Sequence, residues 1–294
     1  MQIFLLIVIP LLGTIKVLFQ GKAVKIYVDS LCDSLTLGAV TFATIAVCLA
    51  AIYLRSIPSS TTLWLGLLWG VCNLIFQVCY NVAMIKGPVS FTGVCANFSI
   101  IVPLLFGFTF LGEKFTVIKG VGIALIFVAF VLLQRKTDDK KVNAVWIVLT
   151  VATMLAAGFS NVIMSVFKTL PVASERNLLI IVGNAVSALL SILCALIVGV
   201  AKKGENKLIL NPVPKNALLF AILSGVTLAV YQPLSMLALT MVDVSLYYPV
   251  TGALAVIFLM VIGIPVFKDK PSVKQIIGAC VGLCAIVLLN LQNI

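Results

Sequence analysis

The residues able to do chemistry are distributed unevenly along this chain of 294 residues. There is no histidine, so the commonest general base and proton shuttle is missing. The nine acidic residues, Asp29, Asp33, Glu113, Asp138, Asp139, Glu175, Glu205, Asp243 and Asp269, all fall at or beyond the ends of apolar runs. The interiors of those runs therefore lack the carboxylate that many proton- and sodium-coupled carriers use at membrane depth. Glu113 or Asp243 reaching inward from a segment end is the alternative. Seven of the eight cysteines (Cys48, Cys72, Cys79, Cys95, Cys194, Cys280 and Cys284) lie within or at the ends of the same runs, with no CxxC pair. They read as small hydrophobes, and no metal site or cofactor is expected. General acid–base chemistry has few candidates, so the chain does not read as an enzyme.

What remains is a set of amides, hydroxyls and tyrosines inside apolar segments. In the third segment Gly66, Gly70, Asn73, Gln77, Tyr80, Asn81 and Met84 recur at helical spacing and share one face. The eighth segment carries Ser224, Thr227, Tyr231, Gln232 and Ser235 around Pro233, where a kink is expected. The ninth begins with Ser245, Tyr247, Tyr248, Pro249 and Thr251, and the fourth carries Thr92, Asn97 and Ser99. Ser160 and Asn161 lie in the sixth and Asn184 in the seventh. Such groups often bond between helices, contributing about 0.6 kcal/mol each. A stripe of amides partly repeated on a second helix points instead to a lined cavity. The expected substrate-binding residues are Lys16, Asn73, Gln77, Tyr80, Asn81, Asn97, Asn161, Tyr231, Gln232, Tyr247, Tyr248 and Thr251, with Gln77, Asn81, Tyr231, Gln232 and Tyr248 foremost. Lys16, the one charge inside an apolar run, either snorkels to the headgroups or faces the cavity. In the second case it favours an anionic or zwitterionic substrate.

The elements that must position these groups are set by composition. The chain is 62% hydrophobic and 10% charged, with a mean hydropathy of +1.24, whereas soluble domains are about 45–50% apolar and about 25% charged. A bilayer is the solvent for most of it, and only helices can span there in an open-ended chain. Charges and prolines divide the chain into ten helical segments: 2–21, 34–55, 61–85, 88–112, 115–134, 143–167, 176–201, 215–238, 242–266 and 272–292. The net charge of +11 is scattered between apolar runs without a basic stripe. It suits cytoplasmic loops and lipid headgroups, and excludes nucleic acid as a partner.

The two halves repeat. A shift of 156 residues sets Gly122 on Gly278, Glu113 on Asp269 and Lys114 on Lys270, and a shift of 155 sets Gly70 on Gly225, Gln77 on Gln232 and Ala83 on Ala238. Residues 1–134 and 143–294 form the repeats, and the polar stretch 135–142 links them. Five helices per repeat is odd, so the second repeat enters the membrane from the opposite side. The expected fold is an all-α membrane protein of ten transmembrane helices in two inverted five-helix repeats, with the substrate site at their junction. Gly278 and Gly282, and Gly120 with Ala124, are small-residue pairs that join the fifth and tenth helices within one chain or between two.

The stretch Ser99-Ile100-Ile101-Val102-Pro103 through Gly112-Glu113-Lys114, followed by Gly120, Gly122 and an unbroken apolar helix, resembles the EamA-like members of the drug/metabolite transporter superfamily. The resemblance implies a monomeric or weakly dimeric carrier of small metabolites. Helices 1, 3, 4, 6, 8 and 9 would line its cavity, and helices 5 and 10 would pack together. Pro103 lies closer to the Gly-Glu pair than is usual there, and Leu12-Gly13 stands where Trp-Gly is common. The resemblance implies cytoplasmic termini. The charge count favours the reverse, because only Arg55, Lys114, Lys119, Lys168 and Arg176 fall on the side of the termini.

The expected function is secondary transport, as exporter or exchanger, of a small polar or amphipathic metabolite by alternating access. The alternative is a flippase-like or adaptor protein for a lipid-linked substrate. The partners expected are the small-molecule substrate and membrane lipids, and the expected location is the bacterial plasma membrane.

Overall fold

Apolar runs bounded by capping residues form the helices, as two of the boundaries illustrate. α1 (Gln2–Tyr27) continues past the expected end at residue 21, because neither glycine nor lysine stops a helix already propagating. It ends before Asp29-Ser30. There the Ser30 hydroxyl accepts from Asp33 N at 3.2 Å, while the Asp33 carboxylate accepts from Ser30 N at 3.0 Å. This capping box starts α2 (Leu31–Tyr53). The longer α1 places Lys16 about three turns from the helix end, deeper than an end at residue 21 implies.

The computed structural model describes residues 1–86, 92, 96, 98–132, 143–201, 212–267 and 272–290. The other helices are α3 (Ser60–Lys86), α4 (Ile101–Phe110), α5 (Val117–Leu132), α6 (Ala144–Phe167), α7 (Arg176–Ala201), α8 (Lys215–Leu239), α9 (Val244–Phe267) and α10 (Val273–Asn290). A 3₁₀ turn, Phe98–Ile100, leads into α4, so the expected segment 88–112 has a tightened turn within it. Pro103 sits in the first turn of α4, where a missing N–H is tolerated. Pro233 lies within α8, which runs unbroken through it. The expected linker 135–142 lies outside the described residues.

Among the described residues, α1, α2, α3, α6, α7 and α8 are long and apolar enough to cross a membrane, and α4, α5, α9 and α10 contribute shorter apolar stretches. Trp64, Val148, Leu189 and Ile197 are exposed on the outside of the bundle, as lipid-facing side chains are. The chain is a multi-pass membrane protein.

α1 packs on α8, α3 on α6, α2 on α7, and α5 on α10. Exchanging the first five helices for the last five maps this set of pairs onto itself. The pairs α2–α8 and α7–α3, and α1–α9 and α6–α4, are interchanged in the same way. Sequence-matched residues share environments. A Cβ at Gly70 would lie 2.7 Å from the Gly183 carbonyl oxygen of α7, and one at Gly225 would lie 3.0 Å from the Thr41 carbonyl oxygen of α2. Ala83 and Ala238 are both fully buried. At the α5–α10 seam Gly122 lies under Leu289 and Gly282 against Ala129. The small-residue pair Gly120 and Ala124 takes no part, because Gly120 receives the Phe115 ring and Ala124 is exposed.

Candidate functional site

Where the two halves meet there is a cavity of about 280 Å³. α1 contributes Pro10 and Gly13; α3 contributes Trp69 and Asn73; Ile100 enters from the turn before α4. α6 brings Ser160, Asn161 and Met164, and α8 brings Tyr231, Gln232 and Ser235. α9 completes the wall with Tyr247, Tyr248, Thr251, Gly252 and Ala255. No charged side chain is among these residues. Of the expected site residues, Asn73, Asn161, Tyr231, Gln232, Tyr247, Tyr248 and Thr251 thus line one space.

Several of its polar groups are held by the protein. Tyr248 Oη donates to the Asn161 carbonyl at 2.9 Å, and the Tyr247 and Ser235 hydroxyls bond each other. Thr251 Oγ1 donates back to the Tyr247 carbonyl at 2.7 Å. Ser160 Oγ donates to Asn73 Oδ1 at 3.2 Å, which joins α6 to α3. Asn184, fully buried on α7, donates from Nδ2 to the Ile180 carbonyl at 2.8 Å and to Gln232 Oε1 at 2.8 Å. The carbonyl can only accept, so this pairing orients the Gln232 amide and leaves its Nε2 hydrogens without a partner among the described residues.

The structure places the other expected residues elsewhere. Gln77 Nε2 donates to the Ser34 carbonyl at 3.2 Å, and Asn81 Nδ2 donates to the Ser34 hydroxyl. Both amides therefore serve the α2–α3 contact and do not line the cavity. Tyr80 stacks on Phe76 with ring centroids 5.5 Å apart, and Lys16 lies one turn along α1 from Gly13. Neither lines the cavity, and Lys16 has no carboxylate within salt-bridge distance among the described residues. Asn97 lies outside the described residues. The stripe on α3 divides among three neighbours because 3.6-residue periodicity sets adjoining flanks side by side. Gly66 and Gly70 take the α7 backbone and side chains, Gln77 and Asn81 reach α2, and Trp69 with Asn73 turns to the cavity.

Trp69 is the residue that the stripe reading missed, although it stands one turn before Asn73. It is 3% exposed, and its Nε1 has no hydrogen-bond partner among the described residues. The Cε3–Cζ3 edge of its ring packs on Gly183, where a Cβ would overlap it. The ring also lines the cavity, while its Nε1 is enclosed by protein.

Polar ties join the halves at the end of the bundle where α1 starts and α2, α4, α6 and α8 finish. Gly112, in a left-handed conformation with φ of 68°, ends the α4 region, and Glu113 folds back so that its carboxylate lies over Gly107. The Glu113 carboxylate accepts from Val244 N at 2.7 Å and Ser245 N at 2.9 Å, satisfying unpaired donors at the positive end of α9. In return Glu175, just before α7, accepts from Ser59 N at 2.9 Å and Thr62 Oγ1 at 2.5 Å at the start of α3. Each half thus caps a helix of the other. Lys119 Nζ meets Asp243 Oδ2 at 2.9 Å, and Gln2 Nε2 donates to the Met241 carbonyl at 2.9 Å. Burial lowers the pKa of the Lys168 ammonium, while the Glu113 and Asp243 carboxylates oppose that shift. At the opposite end the ties between halves include the Lys22 ammonium over the Phe220 ring, at 5.5 Å, and Cys32 Sγ on the Ala195 carbonyl.

No curated protein matches this chain. A protein of known crystal structure is similar to it over 97% of this chain and 98% of its own, with a TM-score of 0.71 and 16% identity, a likeness of fold alone. The family model of the EamA-like transporter family matches residues 2–135. That span covers α1 to α5 and includes the Gly112-Glu113 turn that caps α9. The chain is therefore a multi-pass membrane protein whose first five helices match the EamA-like transporter family, in agreement with the drug/metabolite transporter superfamily.

Proposed function

We propose that this protein is a secondary transporter, exporter or exchanger, that carries a small polar or amphipathic metabolite by alternating access between two inverted five-helix halves. The observation that carries this reading is the position of the cavity. It lies between the halves, takes its lining from α1, α3, α6, α8, α9 and the turn into α4, and holds amide and aromatic groups without a fixed charge. The self-mapping set of helix contacts supports the inverted repeat, because each half then offers the same surfaces to the other. The reciprocal caps of Glu113 and Glu175 hold one end of the passage shut, and their release is the step that opens it.

No carboxylate lines the cavity among the described residues, which supports transport without a coupling ion. Purified protein in liposomes, screened with labelled metabolites in the absence of proton and sodium gradients, is expected to show counterflow of at least one of them. Flux that strictly requires either gradient contradicts the uncoupled mechanism, and absence of flux for the whole panel contradicts transport.

A further inference from the structure

Lys16 is the one charge inside an apolar run, and α1 turns it inward. Ile9 and Ala23 stand seven residues before and after it, hence on the same helix face, and both are fully buried. The lipid-facing side of α1 carries Phe4, Ile7 and Leu11 instead, all exposed. The Lys16 backbone carbonyl accepts from the Ser224 hydroxyl of α8 at 3.5 Å, and the side chain is half-buried, deep among the helices. Side chains of a helix tilt toward its N-terminus, which on α1 is toward Gly13 and Pro10 in the cavity wall. Lys16 therefore stands one turn from that wall, about 4.5 Å along the axis, on the side away from the capped end.

Nothing among the described residues answers its charge. Glu113 and Glu175 cap helices at the far end of the bundle, and Asp243 pairs there with Lys119. Asp33 closes the capping box at the start of α2, and Asp29 is exposed. An ionisable group at membrane depth is costly, and is kept where it faces a cavity or a charged partner. The cavity beside Lys16 is lined by aromatic rings, amides and hydroxyls without a charge. An uncharged chamber with one unanswered cation at its margin is complementary to a molecule with a neutral body and one anionic end.

We propose that Lys16 forms an anion subsite adjoining the cavity, and that the solute is a small organic monoanion. Its uncharged body sits in the cavity, and its carboxylate pairs with the Lys16 ammonium. This rests on the reading of the cavity as the transport site, and it adds the solute's charge and the way it lies. The same positive potential disfavours organic cations.

Two measurements on the full chain test the proposal. The first needs no knowledge of the solute. With the native cysteines replaced by alanine and Thr251→Cys in the cavity wall, methanethiosulfonates of opposite charge report the local potential. The rate with the anionic sulfonatoethyl reagent, divided by that with the cationic trimethylammonioethyl reagent, is expected to fall about tenfold in Lys16→Met. Lys16→Arg, which retains the charge, is expected to keep the ratio. The second measurement uses phosphatidylcholine nanodiscs and two probes of one shape, phenylacetate and the neutral phenylacetamide. The acid is expected to bind by calorimetry at least about tenfold more tightly, a preference that Lys16→Met removes and Lys16→Arg retains. Lys16→Met is also expected to melt no lower than the native chain, because no described residue loses a charged partner. Four results overturn the proposal: a reagent ratio indifferent to Lys16→Met; equal or tighter binding of the amide, or no binding of the acid; a preference for the acid that persists in Lys16→Met; or a marked fall in that variant's melting temperature, which would make the lysine a structural tie. Flux of the same probes in liposomes separates this from the transport reading. Binding of the acid without flux contradicts transport and leaves the subsite standing, whereas acid flux indifferent to Lys16→Met overturns the subsite alone.

Discussion

Glu113→Ala is expected to open the end of the bundle that the reciprocal caps hold shut. The substitution removes two hydrogen bonds from a charged acceptor to Val244 N and Ser245 N, and bonds to charged groups contribute about 1.5–3 kcal/mol each. It also removes a negative charge from the positive end of α9. The Lys119–Asp243 pair, 2.9 Å long but with Asp243 51% exposed, is the weaker tie because water replaces much of what it supplies. Two readouts follow. The melting temperature in detergent falls further for Glu113→Ala than for Asp243→Asn. In sealed vesicles a thiol introduced by Thr251→Cys, in the cavity wall, reacts at least about tenfold faster from the side of the termini, since about 1.4 kcal/mol of lost closure shifts the populations by that factor. Unchanged melting and labelling would remove Glu113 from the closing mechanism.

Gln232→Leu is expected to cut transport at least about tenfold while Gln77→Leu cuts it less, although the two glutamines occupy matched positions in the repeats. Gln232 lines the cavity and offers a free amide nitrogen there, whereas Gln77 is turned to the Ser34 carbonyl of α2. Losing a donor that the ligand needs weakens binding by about 1–3 kcal/mol; leucine fills nearly the same volume, and Asn184 Nδ2, which loses Gln232 Oε1, keeps its bond to the Ile180 carbonyl, so the fold is retained. Initial rates of counterflow, normalised to reconstituted protein, test the ranking. A severe loss in Gln77→Leu beside a neutral Gln232→Leu would show that the wrong glutamine has been placed at the substrate.

How far the sequence discloses this arrangement depends on the kind of signal. Helix positions are legible because charges, prolines and capping residues interrupt long apolar runs. α7 matches its expected bounds, and α8 and α6 lie within a residue of theirs. The end of α1 is not legible, because Gly21 and Lys22 interrupt the apolar run without ending the helix. The cavity is half legible. Tyr231, Gln232, Tyr247, Tyr248 and Thr251 stand out as polar groups in apolar helices. Periodicity tells which residues share a face of α3 but not which neighbour that face meets, so Gln77 and Asn81 are indistinguishable from Asn73 until α2 is in place. Trp69 escapes notice because tryptophan is at home in a membrane helix. Its seat depends on Gly183, more than a hundred residues away, leaving room for the ring.

The central claim is that the cavity between the halves communicates with each side of the membrane in turn. It is tested most directly by two-sided thiol labelling of Thr251→Cys, with the eight native cysteines replaced by alanine and the protein oriented in sealed vesicles. A membrane-impermeant maleimide is expected to label the position from either side, and a transported solute is expected to slow both reactions. Labelling confined to one side under every condition, with the solute or without it, would contradict alternating access.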